Sequence, residues 1–489
     1  MKKEKVQMLI RYSIMTLSLF MAFRFFIRGL GQGVYETFMG KDYWQGIFFF
    51  GLAVIVAYGI NFRKPAAYIA IVLYYAVIGI VFFIVQKDMR MYSPDIWNWY
   101  VRIGIGAGTA IPILADAIFE KRIKRPDTGR LVALILASFP VLFSLIYRDK
   151  FERGVVALYA MVWIYALAKF EDNRLEELAT SIAAGGLLAT SYALIKGFIE
   201  VPYHFEEHYI GNFYDSPIYA GVMCVGVVMS MALFLFFFYR FKTKRAIPIV
   251  GLILFSGMFV FAAVLANGRN TFLALVFLTI LFAYILSCIT GKKRYFRITL
   301  WSVVGLAVLV VAIIALLVVT DGNKKFEWID SIPQLAMMRE VGLKTLRTKT
   351  REGIIPDGSW LNCIDNFTSE RLTIWICTAR QLKPFSGNST NIHIRDEIYW
   401  PTHNTYLGLL NKYGIVMGAG VVLAWFYSAF AYIKRIKKSV SEKGIKVQVA
   451  LPALFLVYCS SFFLFETFYV VSYLLIAWLF MFALLDTNR

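Results

Sequence analysis

"ITLWSVVGLAVLVVAIIALLVVT", residues 298 to 320, carries no charged side chain and follows directly on the basic run "GKKRYFR", residues 291 to 297. At 1.5 Å rise per residue, a helix of this length reaches across the ~30 Å hydrocarbon core of a bilayer. In water the segment would have no polar face to present. In lipid it needs none, because a helix satisfies its backbone N–H and C=O groups internally. The stretch reads as a transmembrane helix whose basic flank marks its cytoplasmic end.

Outward from this span, apolar runs recur along almost the whole chain of 489 residues, which is 59% hydrophobic, 17% aromatic and 17% charged. Fourteen candidate spans fall near residues 10–30, 44–61, 66–85, 98–119, 130–147, 154–170, 179–199, 217–239, 246–266, 271–290, 298–320, 415–433, 449–465 and 468–485. The expected fold is an all-α polytopic membrane protein of about 12–14 transmembrane helices, with one large extracytoplasmic loop between the late helices. The first segment is too long and too poorly flanked for a cleaved signal peptide, and is expected to stay as a helix.

The net charge of +20 is distributed by topology. Lys and Arg gather in "MKKEK" (1–5), "NFRK" (61–64), "EKRIKRPDTGR" (120–130), "RFKTKR" (240–245), "GKKRYFR" and "KRIKKSVSEKGIK" (434–446). With the amino terminus inside, all six lie on the cytoplasmic side, as the positive-inside rule requires. The expected partner of this basic surface is anionic membrane lipid, not nucleic acid.

Three regions follow: transmembrane helices 1–11 over residues 1–320, an extracytoplasmic cap over 321–400, and a motif helix with the last spans over 401–489. The cap holds eleven Lys or Arg and ten Asp or Glu, so it is nearly neutral. A loop of this length is usually functional or disordered. Within it, "RLTIWICTARQL" (371–382) places Leu372, Trp375, Ile376 and Ala379 at helical spacing, the pattern of a packed amphipathic helix.

All four histidines, His204, His208, His393 and His403, fall in outer segments. His403 follows Pro401 and Thr402, which read as a helix start with Thr402 as its cap, and His403, Tyr406, Leu407 and Leu410 would then share one helix face. Amides at a helix start attract phosphate, and a neutral imidazole there can act as a base. An interfacial histidine packed beside Tyr406 is the plainer alternative. Arg269 sits in the tight "ANGRN" turn (266–270), where its planar fork suits a diphosphate; snorkelling to lipid phosphate is the plainer alternative there.

Absences narrow the chemistry. The chain has no Asp-x-Asp pair and no phosphate-binding glycine loop, so neither a metal-nucleotide device nor ATP use is indicated. His204 and His208 have an i, i+4 spacing, but Pro202 makes a helix doubtful and no metal is expected. The five cysteines form no metal spacing; Cys363 and Cys377 allow either a disulfide or two thiols. No cofactor is expected.

Four stretches in order resemble the O-antigen ligase and polymerase superfamily of bacterial polytopic glycosyltransferases. They are "GNFYDSPIYAG" (211–221), "NGRNTFLAL" (267–275), "RLTIWICTARQLKPFSGNS" (371–389) and "HNTYLGLLNKYGIVMG" (403–418). The last is the most specific, since His-Asn-x-x-Leu, a later Gly and a large outer loop coincide. The resemblance covers roughly residues 200 to 435.

It implies a multi-pass enzyme of the bacterial cytoplasmic (inner) membrane with an extracytoplasmic active site. The donor would be an oligosaccharide on a polyprenyl diphosphate, and the acceptor a hydroxyl of a glycan or lipid-linked molecule, with no metal or nucleotide. By position, Arg269 matches the arginine thought to hold the diphosphate and His403 the histidine implicated in catalysis. Arg371 and Trp375 match the outer-loop arginine and tryptophan. Asn404 would position the site. His208 stands where many members carry an arginine, so the second phosphate contact would fall to His208, Arg371 or Arg395. Trp360, Tyr399 and Trp400 are candidate sugar platforms or interface anchors. A flippase for lipid-linked oligosaccharide and a glycan polymerase using an outer carboxylate (Asp365, Asp396 or Glu397) are the competing expectations.

Overall fold

The computed structural model describes residues 2–31, 41–60, 108–147, 153–201, 210–211, 213, 216–240, 246–266, 269–321, 328, 331, 333–345, 354–356, 359–368, 370–388, 392–394, 397–399, 402–443, 446–464 and 478–483. The fold is an all-α polytopic membrane bundle. Its helices are α1 (Lys2–Gly31), α2 (Lys41–Tyr58), α3 (Gly108–Phe119), α4 (Thr128–Ala137), α5 (Phe139–Ile146), α6 (Arg153–Leu167), α7 (Asp172–Glu200) and α8 (Ser216–Arg240). They continue with α9 (Ala246–Leu265), α10 (Arg269–Thr290), α11 (Lys293–Val319), α12 (Pro333–Thr345), α13 (Trp360–Phe367), α14 (Arg371–Gln381), α15 (Thr405–Lys443) and α16 (Val447–Phe462).

Among the described residues, seven helices are long and apolar enough to cross a membrane, or eight if α4 and α5, bent by 40° at Ser138, form one span. Four shorter apolar helices, Trp44–Tyr58, Gly108–Phe119, Val156–Leu167 and Val447–Phe462, fall on further expected spans. The expected span 66–85 and most of 468–485 lie outside the described residues.

Two helices of similar hydrophobicity have opposite fates. Leu317 is the only buried residue of α11, so its apolar surface faces lipid. Nearly every residue of α16 is buried, and α16 packs against α7, α8, α10 and α15. A helix apolar on all sides suits either environment; the neighbours decide which.

Ion pairs tie together the ends that the charge pattern puts inside. Arg11 pairs with Glu177 at 3.1 Å, Arg240 with Glu176 at 3.1 Å and Lys446 with Asp172 at 3.9 Å. The Arg122 guanidinium donates to Asp116 and to the carbonyls of Tyr58 and Gly59. Segments that the positive-inside rule assigns to one side thus meet at one end of the bundle.

The cap begins at the carboxyl end of α11. There α12 lies so close that a methyl added at Gly342 would fall 2.4 Å from Val318, and Arg339 faces Asp321 at 3.8 Å. Ser359 caps α13 by accepting from the Asn362 amide. A two-stranded antiparallel hairpin, β1 (Ile392–Ile394) with β2 (Glu397–Tyr399), pairs His393 with Ile398. Cys363 is an exposed thiol and Cys377 a buried one, so these two are not bonded to each other.

The expected packed face of "RLTIWICTARQL" is corrected. In α14 the buried residues are Thr373, Ile374, Cys377 and Thr378, while Ala379 is exposed and Leu372, Trp375 and Ile376 are half-buried. The cause is Asp365, fully buried at the end of α13, which accepts from the Thr373 amide at 2.8 Å and its hydroxyl at 2.7 Å. A buried carboxylate needs such donors, and meeting them rotates α14 about its axis.

Candidate functional site

The His-Asn turn lies between the cap and the carboxyl end of α16. Thr402 is not the helix cap that its position predicts. Asn404 is: its Oδ1 accepts from the Leu407 amide at 3.0 Å, and α15 starts at Thr405. The Thr402 hydroxyl instead donates to the Asn404 carbonyl at 2.8 Å. His403 therefore precedes the helix and does not share a face with Tyr406, Leu407 and Leu410. Its φ of 46° is left-handed, a conformation that only a minority of non-glycine residues adopt.

Three contacts hold that turn. The Asn404 Nδ2 donates to the Leu464 carbonyl at 3.1 Å, and the Thr405 amide to the Phe463 carbonyl at 2.9 Å. From the cap, the Trp375 indole N–H donates to the His403 carbonyl at 3.3 Å. The acceptors Phe463 and Leu464 directly follow α16, so they are carbonyls left without helical partners at its carboxyl end. The Tyr406 hydroxyl donates to the Ser460 carbonyl at 3.2 Å, adding a third tie to the carboxyl end of α16.

α15 is not one straight helix. Gly414 has φ 78° and ψ 162°, and a methyl added at Gly418 would lie 2.6 Å from the Leu409 carbonyl oxygen. Nine residues of continuous helix would put these positions about 13 Å apart along the axis, so the chain turns sharply at Gly414. A nine-residue motif helix, 405–413, is followed by the membrane-crossing part.

The break exposes backbone groups that "KPFSGN" satisfies. The Ile415 amide donates to the Lys383 carbonyl at 2.9 Å and the Val416 amide to the Pro384 carbonyl at 3.0 Å. The Asn388 amide donates to the Asn411 carbonyl at 2.8 Å, and the Asn388 Nδ2 to the Asn411 Oδ1 at 2.9 Å. The loop passes so near that a methyl on Gly387 would sit 1.7 Å from the Lys412 oxygen. On its other side, the Tyr147 hydroxyl donates to the Phe385 carbonyl at 3.1 Å.

The "GNFYDSPIYAG" and "NGRNTFLAL" segments also reach α16. The Tyr458 hydroxyl donates to the Gly221 carbonyl at 2.8 Å, and Gly211, with φ 52°, rests on the Tyr219 ring. Arg269 opens α10, which packs along α16. Its side chain lies outside the described residues, as do His208, Arg395, Asp396 and Trp400 and the side chains of Glu397 and Tyr399.

Of the expected site residues, His403, Asn404 and Trp375 meet directly. Arg371 lies one turn before Trp375 on the same face of α14, the face that reaches the His403 turn. Trp375 and Asn404 direct their side-chain polar groups at backbone groups. Half-buried His403 is the titratable side chain at the tip of the turn. Asp365, fully buried, is engaged by both the amide and the hydroxyl of Thr373. Trp360 is exposed at the start of α13.

As a pair, Asn388 and Asn411 match no motif in the sequence, yet the structure joins them. Asn411 lies seven residues after Asn404, the same helix face two turns on, and a buried amide on an otherwise apolar face was the available signal. Among the described residues, no cluster of His, Cys, Asp or Glu suits a metal ion. Comparison with family models, curated proteins and solved structures finds no match to this chain.

Proposed function

We propose that this protein is a glycosyltransferase of the bacterial cytoplasmic membrane. It moves an oligosaccharide from a polyprenyl-diphosphate carrier to an acceptor hydroxyl at the outer face, as a polysaccharide polymerase or ligase. The observation that carries the reading is the shared support on α16. That helix holds the His403 turn at its carboxyl end and packs along α10, whose first residue is Arg269. The basic loops 291–297 and 434–446 fall on one side of the membrane, so the start of α10 and the end of α16 fall together on the other.

The chemistry is a single inverting displacement. The acceptor oxygen bonds to the anomeric carbon as the bond to the diphosphate oxygen breaks, its electron pair leaving with the diphosphate. The hydroxyl proton passes to His403, and the Arg269 guanidinium stabilises the departing charge. Arg371 offers a second cation from the cap.

A second reading, a flippase for the same lipid, is favoured by one feature. Two neighbouring helices are broken, one at Ser138 and one at Gly414, with the Phe143 and Tyr413 rings 5.4 Å apart, and broken helices are common in transporters. Incubation with a defined lipid-linked oligosaccharide separates the two. Longer or transferred glycans in the mass spectrum support transfer, lost in His403→Ala and Arg269→Ala and weak in Arg269→Lys. Movement of labelled lipid across vesicles with unchanged glycan length supports the flippase.

A further inference from the structure

The motif helix is supported from the cap at both of its ends. At its start Trp375 of α14 bonds the His403 carbonyl, and near its finish Asn388 bonds Asn411 through main chain and side chain. These two anchor points are about 12 Å apart on the motif helix. The part of the cap that spans them is continuous: α14 runs to Gln381, and the Asn388 Nδ2 also donates to the Gln381 carbonyl, closing the loop back on the helix. Asn411 is 4% exposed, so its amide is shielded from competing water.

A rigid rod fixed at both ends sets an orientation; fixed at one end it sets only a position. We propose that Asn411 and Asn388 are positioning residues that, with Trp375, hold the His403 turn in its left-handed conformation against the outer end of α16. The two asparagines touch no reacting group in this arrangement and act through the motif helix. The proposal rests on the transferase reading only where turnover is concerned.

The test uses the full-length protein in lipid nanodiscs with a defined lipid-linked oligosaccharide. It compares wild type with Asn388→Ala, Trp375→Phe and the double variant; Asn388 is half-buried, so its truncation spares the core. Each single variant is expected to lower kcat about tenfold while the donor KM stays within about twofold. Amide exchange over residues 402–405 should rise in each. The double variant should be no worse than the poorer single one, because both remove the same brace, whereas independent contributions would multiply.

Unchanged exchange at 402–405 in Asn388→Ala, or kcat losses that multiply in the double variant, would overturn the brace. If wild-type protein transfers no glycan, the transferase reading fails, and the exchange data alone then judge the brace. Asn411→Leu serves as a second check: faster exchange at Ile415 and Val416 without faster exchange at 402–405 also counts against it.

Discussion

The Trp375 indole and the His403 carbonyl, 28 residues apart in sequence, are joined by a 3.3 Å hydrogen bond that fastens the cap to one end of the membrane bundle. Through it, α14 of the cap and the turn before the motif helix form one unit. The cap is thus a supporting wall for the turn as well as a cover.

Asn404 is expected to be the most sensitive non-titrating residue of the turn. Asn404→Ala removes a helix cap, worth about 1 kcal/mol, and leaves the Leu464 carbonyl without this donor. Asn404→Asp keeps the acceptor for Leu407 but has no donor for Leu464. Thermal melts should rank wild type above Asn404→Asp and Asn404→Ala lowest, with glycan transfer following the same order.

Asp365 separates a structural carboxylate from a catalytic one. Losing two hydrogen bonds to a buried charge should cost roughly 3 kcal/mol in Asp365→Ala, seen as a lower melting temperature. The molecules that stay folded should turn over normally. A fully stable but inactive Asp365→Asn would instead favour the acidic-base polymerase.

Gly387→Ala should be severely destabilising at the outer end, since the new methyl would collide with the Lys412 oxygen. Gly251→Ala in α9, where nothing lies within 4 Å, is the control. That change should be neutral or slightly stabilising, as alanine favours helix by about 1 kcal/mol over glycine. Melting temperatures of the two variants read the contrast directly.

The thiols report sidedness. Cys363 is exposed on α13 of the cap, whereas Cys224, Cys377 and Cys459 are buried. A membrane-impermeant maleimide applied to intact cells should label Cys363. Half-exposed Cys288, two residues before the end of α10, should react only after permeabilisation. The reverse pattern would turn the protein over in the membrane and remove the extracytoplasmic site.

Lys124, in the loop between α3 and α4, has its pKa lowered to about 8, first by burial and then by the cations of Arg130 and Arg435. Between about pH 8 and the ordinary lysine range the unfolded chain holds a proton that the folded one has lost, so this group's contribution to stability rises with pH. At pH 7 the charge is carried at a cost. Lys124→Met should therefore raise the melting temperature most below pH 8, with the gain shrinking as pH rises toward 10. A gain independent of pH would show that packing, and not charge, is responsible.

Membrane class and the positions of the described spans were legible in the chain itself, and the charge pattern gives an expectation of sidedness. Apolar length and the placement of Lys and Arg are local quantities, and a bilayer tests them helix by helix, as residues 298–320 and 291–297 illustrate. The presence of a helix start beside His403 was equally readable, but not which residue caps it. Thr402 and Asn404 have similar capping propensity, and the choice falls to Asn404 because Leu464, sixty residues on, takes its amide.

The break at Gly414, the packed face of α14 and the clasp between Asn388 and Asn411 were decided only by tertiary structure. Each depends on a backbone group whose partner lies in another element: Lys383 and Pro384 for Ile415 and Val416, Asp365 for Thr373, Asn388 for Asn411. Periodicity fixes where a helix exists and which residues lie side by side on it. Which of its faces is covered, and where it can bend without leaving polar groups unsatisfied, is set by the neighbours that arrive from elsewhere in the chain.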